Sequence, residues 1–500
     1  MKQEAIDYLI ENNILISPDA KKKPLSLEEA KELLSMYKGN LDLLDEGVIA
    51  LFKQRKKSQE RSLEIIKSYE EKGKDRTYTD FVTLFNTRFD NLRTLLRNRN
   101  QIDGLSSINR LSNKTKGENI SVIGMIQSKR ETSNGNLLFD IEDKTGKTRL
   151  IVKDSDEYKD IFNQARDIQL DEIIAVQGVW LTGAIFANNL IFPDIPRGRP
   201  LKKHPEEQWA AFLGDPHFGS NVFLQKEYNR FIKWLKGNLG TKEQRRIAKK
   251  IKYVICPGDL IEGAGIYPGQ EKDLEYEDVK KQYQVSAEQL KKIPDHIEIV
   301  VIPGNHDVGR LAEPQHTIPK SYAEELYNIE NLQLASNPAM VRIGKTENFP
   351  GFNVLLYHGG SLIYYSQNIP SVRDQGGQKR PDLMMKYMLQ RRHLSPTHGA
   401  TPYVPDKTDP LFIDEIPDIF VTGHIHRASI AQYRGITMIN ASTWTATTED
   451  QIKRGLEPQP GRVPLLNLQT RQGKMMNFLT KQTKQEEAEK QQKVKEDVEE

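Results

Sequence analysis

The stretch from Val301 to Arg310, VIPGNHDVGR, ends an apolar run on an uninterrupted cluster of asparagine, histidine and aspartate. These residue types are poor strand formers and are costly to bury without a partner. A single cluster of this kind is compatible with ordinary turn chemistry, because Pro-Gly and Asn are common turn formers. Its meaning therefore depends on whether other apolar runs end in the same way.

Four other strand-like runs do end in the same way. WAAFL leads into Gly-Asp-Pro-His at 214–217, and YVIC leads into Pro-Gly-Asp at 257–259. NVLLY leads into His-Gly at 358–359, and DIFV leads into Thr-Gly-His-Ile-His at 422–426. Ligands of open α/β sheets bind beyond the carboxyl ends of the strands. We therefore expect the five clusters to converge in space.

The five clusters together offer nitrogen and oxygen ligands and no thiolate, a set that suits manganese, iron or zinc. The candidate ligands are Asp215, His217, Asp259, Asn305, His358, His424 and His426. They are too many for one ion but fit two, and two divalent ions about 3.5–4 Å apart are a known arrangement for phosphoester hydrolysis. One carboxylate has to bridge the two ions, and Asp259, isolated on its tight turn, is the candidate.

Taken singly, an Asp-x-His or His-x-His pair is more often a turn or a surface pair than a metal site. It is the occurrence of all five clusters, each at the end of a predicted strand, that favours the metal centre. The other histidines lack this setting and are predicted to be structural or surface residues: His204, His296, His316, His393 and His398.

The composition is that of a globular chain with a well-wetted surface. The 500 residues are 37% hydrophobic and 28% charged, with a formal net charge of +3, and the length suggests about three domains. The sequence has no apolar run long enough to predict a membrane span. The N-terminal segment lacks the apolar core that would predict a signal peptide. The single cysteine, Cys256, excludes an internal disulfide framework and a cysteine-based zinc site, which fits a reducing cytoplasm.

The first 116 residues are predicted to be helical and charged. Residues 1–45 form a small helical region, in which Ser26 is a predicted N-cap with Glu29 at the capping-box position. Residues 46–116 contain a charged linker and then a helix that is expected to dock on a neighbouring domain. Its apolar face comprises Phe81, Leu84, Phe85, Phe89, Leu92 and Leu96. Its arginines are predicted to lie off that face, with nucleic-acid binding as one alternative: Arg88, Arg93, Arg97 and Arg99.

Alternating apolar residues predict five short strands between 117 and 195, with a helix at 154–165 between the third and fourth strands. This order fits an OB-fold β-barrel, which either binds a single strand or only packs against its neighbour. Residues 207–478 alternate apolar runs with helical stretches and predict an α/β layered domain. Residues 481–500 are a charged tail, either disordered or a solvated helix.

The five motifs resemble the calcineurin-like metallophosphoesterase superfamily, whose D-x-H, G-D, G-N-H-D/E, H and G-H-x-H pattern is matched at every ligand position between about 207 and 470. The resemblance implies an α/β fold, a calcineurin-like β-sandwich flanked by helices. It also implies that the seven candidate ligands bind two divalent metal ions and that His306 is a catalytic residue near the scissile phosphate. Many members carry an aspartate three residues after the bridging one, where this chain has Glu262.

The surroundings of the motifs suggest a narrower resemblance. GDLIEGAGIYPGQEKDL, GNHDVGRLAEPQ and the long stretch from 388 to 426 look like the small, B-type, subunits of replicative DNA polymerases, in particular those of the archaeal family-D enzymes. This implies a proofreading 3′–5′ exonuclease that acts on single-stranded or mismatched 3′ ends with two divalent ions, manganese being expected. It also implies a heterodimer with a large catalytic subunit, binding to DNA, and access to a sliding clamp through the complex.

Two alternatives to this function are a stand-alone nuclease or phosphomonoesterase of the same superfamily, and a non-catalytic scaffold for the large subunit.

Arg391 and Arg392 are candidate contacts to the DNA backbone or to another subunit. The neighbouring Met384, Met385, Tyr387 and Met388 form either an interface patch or part of the domain core. QGKMMNFL at 472–479 resembles a clamp-binding peptide. Its alternative is a closing β-strand that buries Met475 and Phe478.

Overall fold

The computed structural model describes residues 1–37, 41–70, 73, 75–181 and 183–499. The chain divides into two compact units, Met1–Glu64 and Ile65–Glu500. None of the helices in the described ranges combines the length and the apolar character that a membrane span needs.

The first unit is a small helical domain with its own apolar core. Its helices are α1 (Gln3–Glu11), α2 (Pro18–Lys22), α3 (Leu27–Tyr37) and α4 (Glu46–Glu60), and its two short parallel strands are β1 (Leu15–Ile16) and β2 (Leu43–Leu44). The predicted capping box is confirmed, because the Ser26 amide donates to Glu29 Oε2 (2.8 Å) and the Glu29 amide donates to Ser26 Oγ (3.2 Å). The unit extends past residue 45, since Ile49 and Phe52 on α4 are buried in the same core.

The segment predicted as a charged linker contains a strand. Strand β3 (Glu64–Ser68) forms the edge of a six-stranded sheet. Its Ile66 packs on the core beneath that sheet. Charged neighbours obscured this strand, because an edge strand needs only a short alternating stretch with one face buried.

Helix α5 (Tyr78–Arg97) docks on the five-stranded barrel that follows it, as predicted. Its Phe89, Leu92 and Leu96 share a small core with Ile123 and Ile173 of the barrel. The expected position of Arg88 is wrong: this side chain is buried and forms an ion pair with Asp409 (Nε–Oδ2 2.6 Å). Arg88 therefore links α5 to the segment that contains Asp409, within the second unit. Its charge is not available to nucleic acid.

The barrel closes in the order β4-β5-β6-β8-β7. The strands are β4 (Asn119–Glu131), β5 (Leu137–Asp143), β6 (Gly146–Val152), β7 (Ile173–Leu181) and β8 (Ala184–Ile191), and α6 (Lys159–Arg166) lies between the third and fourth. The predicted strands and helix are thus present. The β6–β8 pairing is parallel and closes the cylinder, whose interior is filled by aliphatic side chains and Phe139.

The first large sheet holds four parallel strands, β9 (Trp209–Phe212), β10 (Ile251–Cys256), β11 (Glu298–Val301) and β12 (Leu332–Leu334). Two antiparallel strands, β18 (Arg462–Asn467) and β19 (Gly473–Asn477), extend it beyond β9. The connecting helices are α7 (Gln225–Leu235), α8 (Lys242–Ala248), α9 (Val279–Leu290) and α10 (Glu324–Tyr327).

The second large sheet has the order β16-β17-β15-β14-β13-β3. Its further strands are β13 (Ala339–Ile343), β14 (Phe352–Leu356), β15 (Ile419–Thr422), β16 (Ser429–Tyr433) and β17 (Ile436–Asn440). The insertion between β14 and β15 contains α11 (Leu362–Asn368), α12 (Pro370–Arg373) and α13 (Pro381–Arg391). The last helices are α14 (Glu449–Lys453), which precedes β18, and α15 (Lys481–Glu499), which forms the charged tail. The second unit is therefore a mixed α/β structure with several sheets, as predicted in outline.

The segment that resembles a clamp-binding peptide is a strand of the first large sheet. Strand β19 pairs antiparallel with β18. Phe478 is buried against Phe231 and Trp234, with ring centroids 5.4 and 5.6 Å away. The expectation for Met475 is wrong, because it is 36% exposed whereas Met476 is buried. Alternation along the strand places Met476, and not Met475, on the inward face.

The methionine-rich part of the insertion belongs to the domain core. Met384, Met385, Tyr387 and Met388 on α13 are buried among the apolar residues under the second large sheet. The interface alternative for this patch is therefore wrong, and the core alternative is observed. Helix α13 is apolar on several sides because it is enclosed by neighbouring elements.

Candidate metal centre

The structure brings all five polar clusters together at the carboxyl ends of β9, β10, β11, β14 and β15. Two groups of these residues can each be defined by distance, because within each group the candidate ligand atoms all lie within 4.8 Å of one another. The first comprises Asp215, His217, Asp259 and His426, and the second comprises Asp259, His358 and His424. Asn305 joins the second group, because its Oδ1 lies 2.9 Å from His358 Nε2. Asp259 is common to both groups, which is the position expected for a bridging carboxylate.

The side chains of these groups direct their polar atoms toward one another. His217 Nε2 lies 3.1 Å from His426 Nε2, and His358 Nε2 lies 3.2 Å from His424 Nδ1. Asp259 Oδ2 lies 3.3 Å from His358 Nε2 and 3.8 Å from His217 Nε2. Ring nitrogens and carboxylate oxygens that face one another in a buried space favour a cation between them.

Other groups fix the orientation of these side chains. His358 Nδ1 donates to the carbonyl oxygen of Pro257 (3.0 Å), so in the neutral ring Nε2 is the atom with the lone pair. Asp259 Oδ1 accepts from the His306 amide (2.8 Å), and Asp215 Oδ2 accepts from the His424 amide (2.7 Å). Each motif therefore positions a candidate ligand of another motif.

The backbone at the centre is strained. His217, Asp259, His424 and His426 have positive φ angles of 50°, 49°, 69° and 54°. Such a conformation costs about 1–3 kcal/mol per non-glycine residue and concentrates at functional sites. Glycine is needed beside them, since a Cβ atom on Gly304 would overlap Asp259 Oδ1.

The residues fit a pair of divalent cations. Asp215 Oδ1 is buried and has no hydrogen-bond partner among the described residues, which is costly for a carboxylate oxygen. Burial raises the pKa of Asp215 to about 7, and the nearby negative charge of Asp259 adds to the effect. A cation at this position would satisfy the free oxygen and remove the cost of burying the charge.

The histidines of the centre fall into two electrostatic classes. Burial lowers the pKa of His424 to about 3, helped by His358, so this ring stays neutral as metal binding requires. For His217 and His358, burial opposes protonation but is outweighed by carboxylates. Glu262 raises the pKa of His217 to about 9, and Asp259 raises that of His358 to about 10. Metal binding would therefore displace protons from these two rings.

Two acidic residues that the sequence did not assign to the centre support it. Glu262 Oε2 lies 3.2 Å from His217 Nδ1, close enough for an ion pair although the ring N–H is not aligned for a hydrogen bond. Asp307 accepts hydrogen bonds from the amides of Leu260 (3.0 Å) and Gly304 (2.9 Å), and so joins the second and third motifs. The sequence signal for the role of Asp307 was its position directly after Asn305 and His306.

His306 lies beside the candidate ligands and lines a cavity of about 150 Å³ with them. Its Nδ1 donates to the carbonyl oxygen of Glu262 (2.7 Å), so its Nε2 is the atom left for other contacts. Burial lowers the pKa of His306, although the carboxylate of Asp259 opposes this effect. The ring is therefore neutral at neutral pH in the protein alone.

The prediction that Arg391 and Arg392 contact DNA needs correction, because both side chains are buried. Arg391 Nε lies 3.1 Å from Glu172 Oε2 on the barrel. Arg392 donates to the carbonyl oxygens of Ile413 (2.8 Å) and Asp414 (2.9 Å). Buried guanidinium groups that are already bound within the protein are not available to a phosphate.

The other five histidines lie outside the ligand groups found among the described residues. His204 and His393 are buried, and His393 Nε2 lies 2.8 Å from Asp409 Oδ2. Their predicted exclusion from the centre agrees with this geometry.

Comparison with known proteins gives the family. The family model for the B subunits of DNA polymerases alpha and epsilon matches residues 210–431. The DNA polymerase II small subunit of Methanothermobacter thermautotrophicus is 36% identical over 79% of this chain and 79% of that protein. That of Archaeoglobus fulgidus is 38% identical, covering 77% of this chain and 74% of the relative. That of Pyrococcus furiosus is 36% identical over 78% of this chain but only 62% of the longer relative.

One solved structure shows a local likeness. Asparaginyl-tRNA synthetase from Pyrococcus horikoshii matches 17% of this chain and 21% of its own, at 13% identity and a TM-score of 0.16, which is too small to carry an argument. The sequence relatives, by contrast, extend across most of the chain. The chain belongs to the family of archaeal DNA polymerase II small subunits.

Proposed function

We propose that this chain is the accessory subunit of a heterodimeric replicative DNA polymerase and that its metal centre is a proofreading 3′–5′ exonuclease. The observation that carries the proposal is the pair of ligand groups that share Asp259. A polymerase partner without catalytic function has no need to maintain strained, buried and mutually oriented ligands. In this proposal, the two large sheets correspond to the calcineurin-like sandwich and the closed barrel to an OB-fold.

The ligand groups define which residues would hold each ion. Asp215, His217 and His426 would hold one, Asn305, His358 and His424 the other, and Asp259 both. When bound, two divalent ions, for which we expect manganese, supply Lewis-acid catalysis of phosphodiester hydrolysis. The protein's own contribution is to fix these side chains in a buried site before the substrate arrives.

His306 would act on the phosphate through Nε2, because its Nδ1 is bound to the Glu262 carbonyl oxygen. Donation from Nε2 requires the protonated ring. A phosphodiester anion beside the ring favours that form, since a nearby negative charge raises the pKa of a histidine. In that state, Nε2–H donates a hydrogen bond to the phosphate or a proton to the departing 3′ oxygen.

The cavity beside the centre favours an unpaired end. The cavity is a recess of about 150 Å³ whose walls include Asp259, His306 and His424. The last nucleotide of a strand has to enter this recess to reach the candidate ligands. A paired terminus must therefore be unpaired before it reaches the centre, which gives a preference for single-stranded or mismatched ends.

The test is incubation of the purified chain with 5′-end-labelled single-stranded DNA and manganese. A 3′–5′ exonuclease shortens the labelled strand progressively, and Asp259→Asn should prevent this shortening. A phosphomonoesterase would remove a terminal phosphate without shortening the strand. A pure scaffold would give no product and would carry no metal in elemental analysis. Co-purification with a large polymerase subunit tests the accessory role, and activity without any such association would favour the stand-alone nuclease.

A further inference from the structure

A second cavity adjoins the metal centre. It has a volume of about 180 Å³ and is lined in part by Lys379, Arg427 and Arg454. It shares three wall residues with the cavity that contains the candidate ligands: Gln378, Ile425 and Leu456. The two cavities therefore adjoin each other at these side chains.

The second cavity has a lining that is rich in cationic side chains. Three of its lining residues are cations, and one, Glu457, is a carboxylate. Lys379 Nζ lies 2.6 Å from Glu457 Oε1, and Arg427 Nη1 lies 3.5 Å from Glu457 Oε2. One carboxylate thus holds two of the cations near each other at a partly exposed position, where an incoming anion can compete for them.

The basic cavity and the candidate metal centre are also close together along the chain. Arg427 follows the candidate ligand His426 directly, and Ile425, between the two histidines of the same motif, lines both cavities. A strand whose terminal phosphodiester lies at the metal centre has its next phosphate one nucleotide away. The basic cavity is the neighbouring site where cationic side chains could receive that phosphate.

We propose that this basic cavity, formed by Lys379, Arg427 and Arg454, binds the phosphate adjacent to the scissile one. The inference rests on the proposed nuclease function and deepens it, because it makes the substrate a polynucleotide strand and not a small phosphoester. Glu457 holds Lys379 through its carboxylate, and it holds Arg427 through its carboxylate and its carbonyl oxygen (Nη1–O 3.1 Å). The DNA phosphate then replaces the carboxylate. Guanidinium and ammonium contacts to phosphate position a strand without reading its sequence.

The test compares two substrates in the full-length protein with manganese, a single-stranded DNA oligonucleotide and bis(4-nitrophenyl) phosphate, which has no neighbouring phosphate. Lys379→Ala and Arg454→Ala should lower kcat/KM for the oligonucleotide about tenfold each, as expected for loss of a charge-assisted contact. Hydrolysis of bis(4-nitrophenyl) phosphate should stay at the wild-type rate. Arg373→Ala is the matched control, since Arg373 is an exposed arginine of the same insertion that lines neither cavity.

A second measurement separates binding from catalysis. Fluorescence anisotropy with a labelled oligonucleotide in EDTA should show weaker binding by Lys379→Ala and a slope of log K against log salt reduced by about one. Glu457→Gln should bind the oligonucleotide more tightly than wild type, because the competing carboxylate is gone. A merely structural role for Glu457 would not produce tighter binding.

The outcomes are distinguishable from those for the nuclease itself. If both substrates lose activity in parallel in the variants, or if neither does, the inference is overturned. If the wild type hydrolyses neither substrate, the proposed nuclease function fails. The anisotropy data alone then decide whether the basic cavity binds the oligonucleotide. Unchanged binding by Lys379→Ala and Arg454→Ala would then overturn it as well.

Discussion

Single residues of the candidate metal centre have separable predicted roles, and the largest role is predicted for Asp259. Its carboxylate faces both ligand groups, and its Oδ1 is held by the His306 amide. Asp259→Asn keeps the shape but removes the negative charge. We expect nuclease activity to fall by at least about 10³-fold, because charge stabilisation by a metal site is worth several kcal/mol, and the bound metal to be lost in elemental analysis.

The control for this prediction is Asp295→Asn, which changes an exposed aspartate in the loop before β11. That variant should keep wild-type activity. Circular dichroism should show both variants folded, because Asp259 lies on a loop beyond the sheet. Activity above a tenth of the wild-type rate in Asp259→Asn would contradict its role as the shared ligand.

His306 should affect turnover but not metal content. Its Nδ1 is already bound to the Glu262 carbonyl oxygen, so we assign its function to the phosphate. His306→Gln should reduce kcat by roughly 10²–10⁴-fold, the usual range for loss of general acid catalysis. Elemental analysis should find as much metal as in the wild type. Loss of metal from this variant would show that His306 is a ligand, since His306, His217 and Glu262 also offer ligand atoms within 4.8 Å of one another.

Residue types at strand ends predicted which side chains would converge, because the path of a buried strand directs its carboxyl end to one edge of a sheet. The same reasoning did not predict the roles of Glu262 and Asp307. Glu262 reaches His217 and Asp307 accepts amides from two motifs only because of the loop conformations. Those conformations include positive φ angles at four ligands, which local sequence does not specify.

At the scale of elements, strand β19 offers a test of burial within one short segment. Phe478 is buried among Phe231, Trp234 and Trp444, whereas Met475 is 36% exposed. Phe478→Ala should lower the free energy of unfolding by about 3–5 kcal/mol, because it leaves a cavity among aromatic rings. Met475→Ala should change it by less than about 0.5 kcal/mol, as is usual at the surface. Urea denaturation measures both.

The same pair of variants tests the resemblance to a clamp-binding peptide. A segment whose Phe478 is part of the core cannot insert that ring into another protein while the domain stays folded. We therefore expect the folded chain to show no clamp binding that depends on Phe478. A clamp interaction lost in Phe478→Ala, with the variant still folded, would overturn the assignment of this segment to the sheet.

The junction of α5 with the insertion contains a buried ion pair that can be compared with an exposed one. Arg88 and Asp409 are each 1% exposed, and His393 also contacts Asp409. Burial opposes ionisation of Asp409, but Arg88 and His393 lower its pKa well below the usual range. Asp409→Asn leaves a buried guanidinium without its counter-charge and should cost about 3–5 kcal/mol of unfolding free energy.

The exposed pair of Lys67 with Asp414 is the control, with side chains 51% and 54% exposed. Asp414→Asn should cost less than about 1 kcal/mol, because solvent screens such pairs. Equal destabilisation by the two substitutions would contradict the view that burial sets the strength of these contacts.

Elements with a clear period were predictable, and elements with mixed signals were not. The five barrel strands follow from alternation and Asn-Gly or Gly turns, which are local features. Strand β3 was not predicted, because its charged flanks resemble a linker and because its pairing partner lies far away in the sequence. The tail is helix α15, where Lys490 Nζ donates to the Thr447 carbonyl oxygen (2.8 Å), a contact that no local pattern indicates.

At the scale of the whole molecule, the order of the regions along the chain was predictable but their boundaries were not. The helical N-terminal region was expected to end near residue 45, whereas the first compact unit reaches Glu64. The reason is that α4 has apolar residues only in its first two turns, which complete a core begun by α1 and α3. A charged second half of a helix gives no sequence signal of where the unit ends.

That boundary determines how to test where the large polymerase subunit binds. Removal of residues 1–62 keeps β3 and α5, whereas a longer deletion would remove an edge strand and the start of a docked helix. We expect the shortened chain to fold, to bind the same amount of metal and to retain nuclease activity, because every candidate ligand lies in the second unit.

The shortened chain should also co-purify with the large subunit. The methionines of α13 are buried in the core, so the remaining predicted dock in this unit is the surface of the barrel. Obligate interfaces between subunits commonly bury about 2,000 Å² or more, so we expect the barrel to bind the large subunit together with neighbouring elements. A shortened chain that keeps its metal and activity but fails to associate would show instead that the first unit carries the dock.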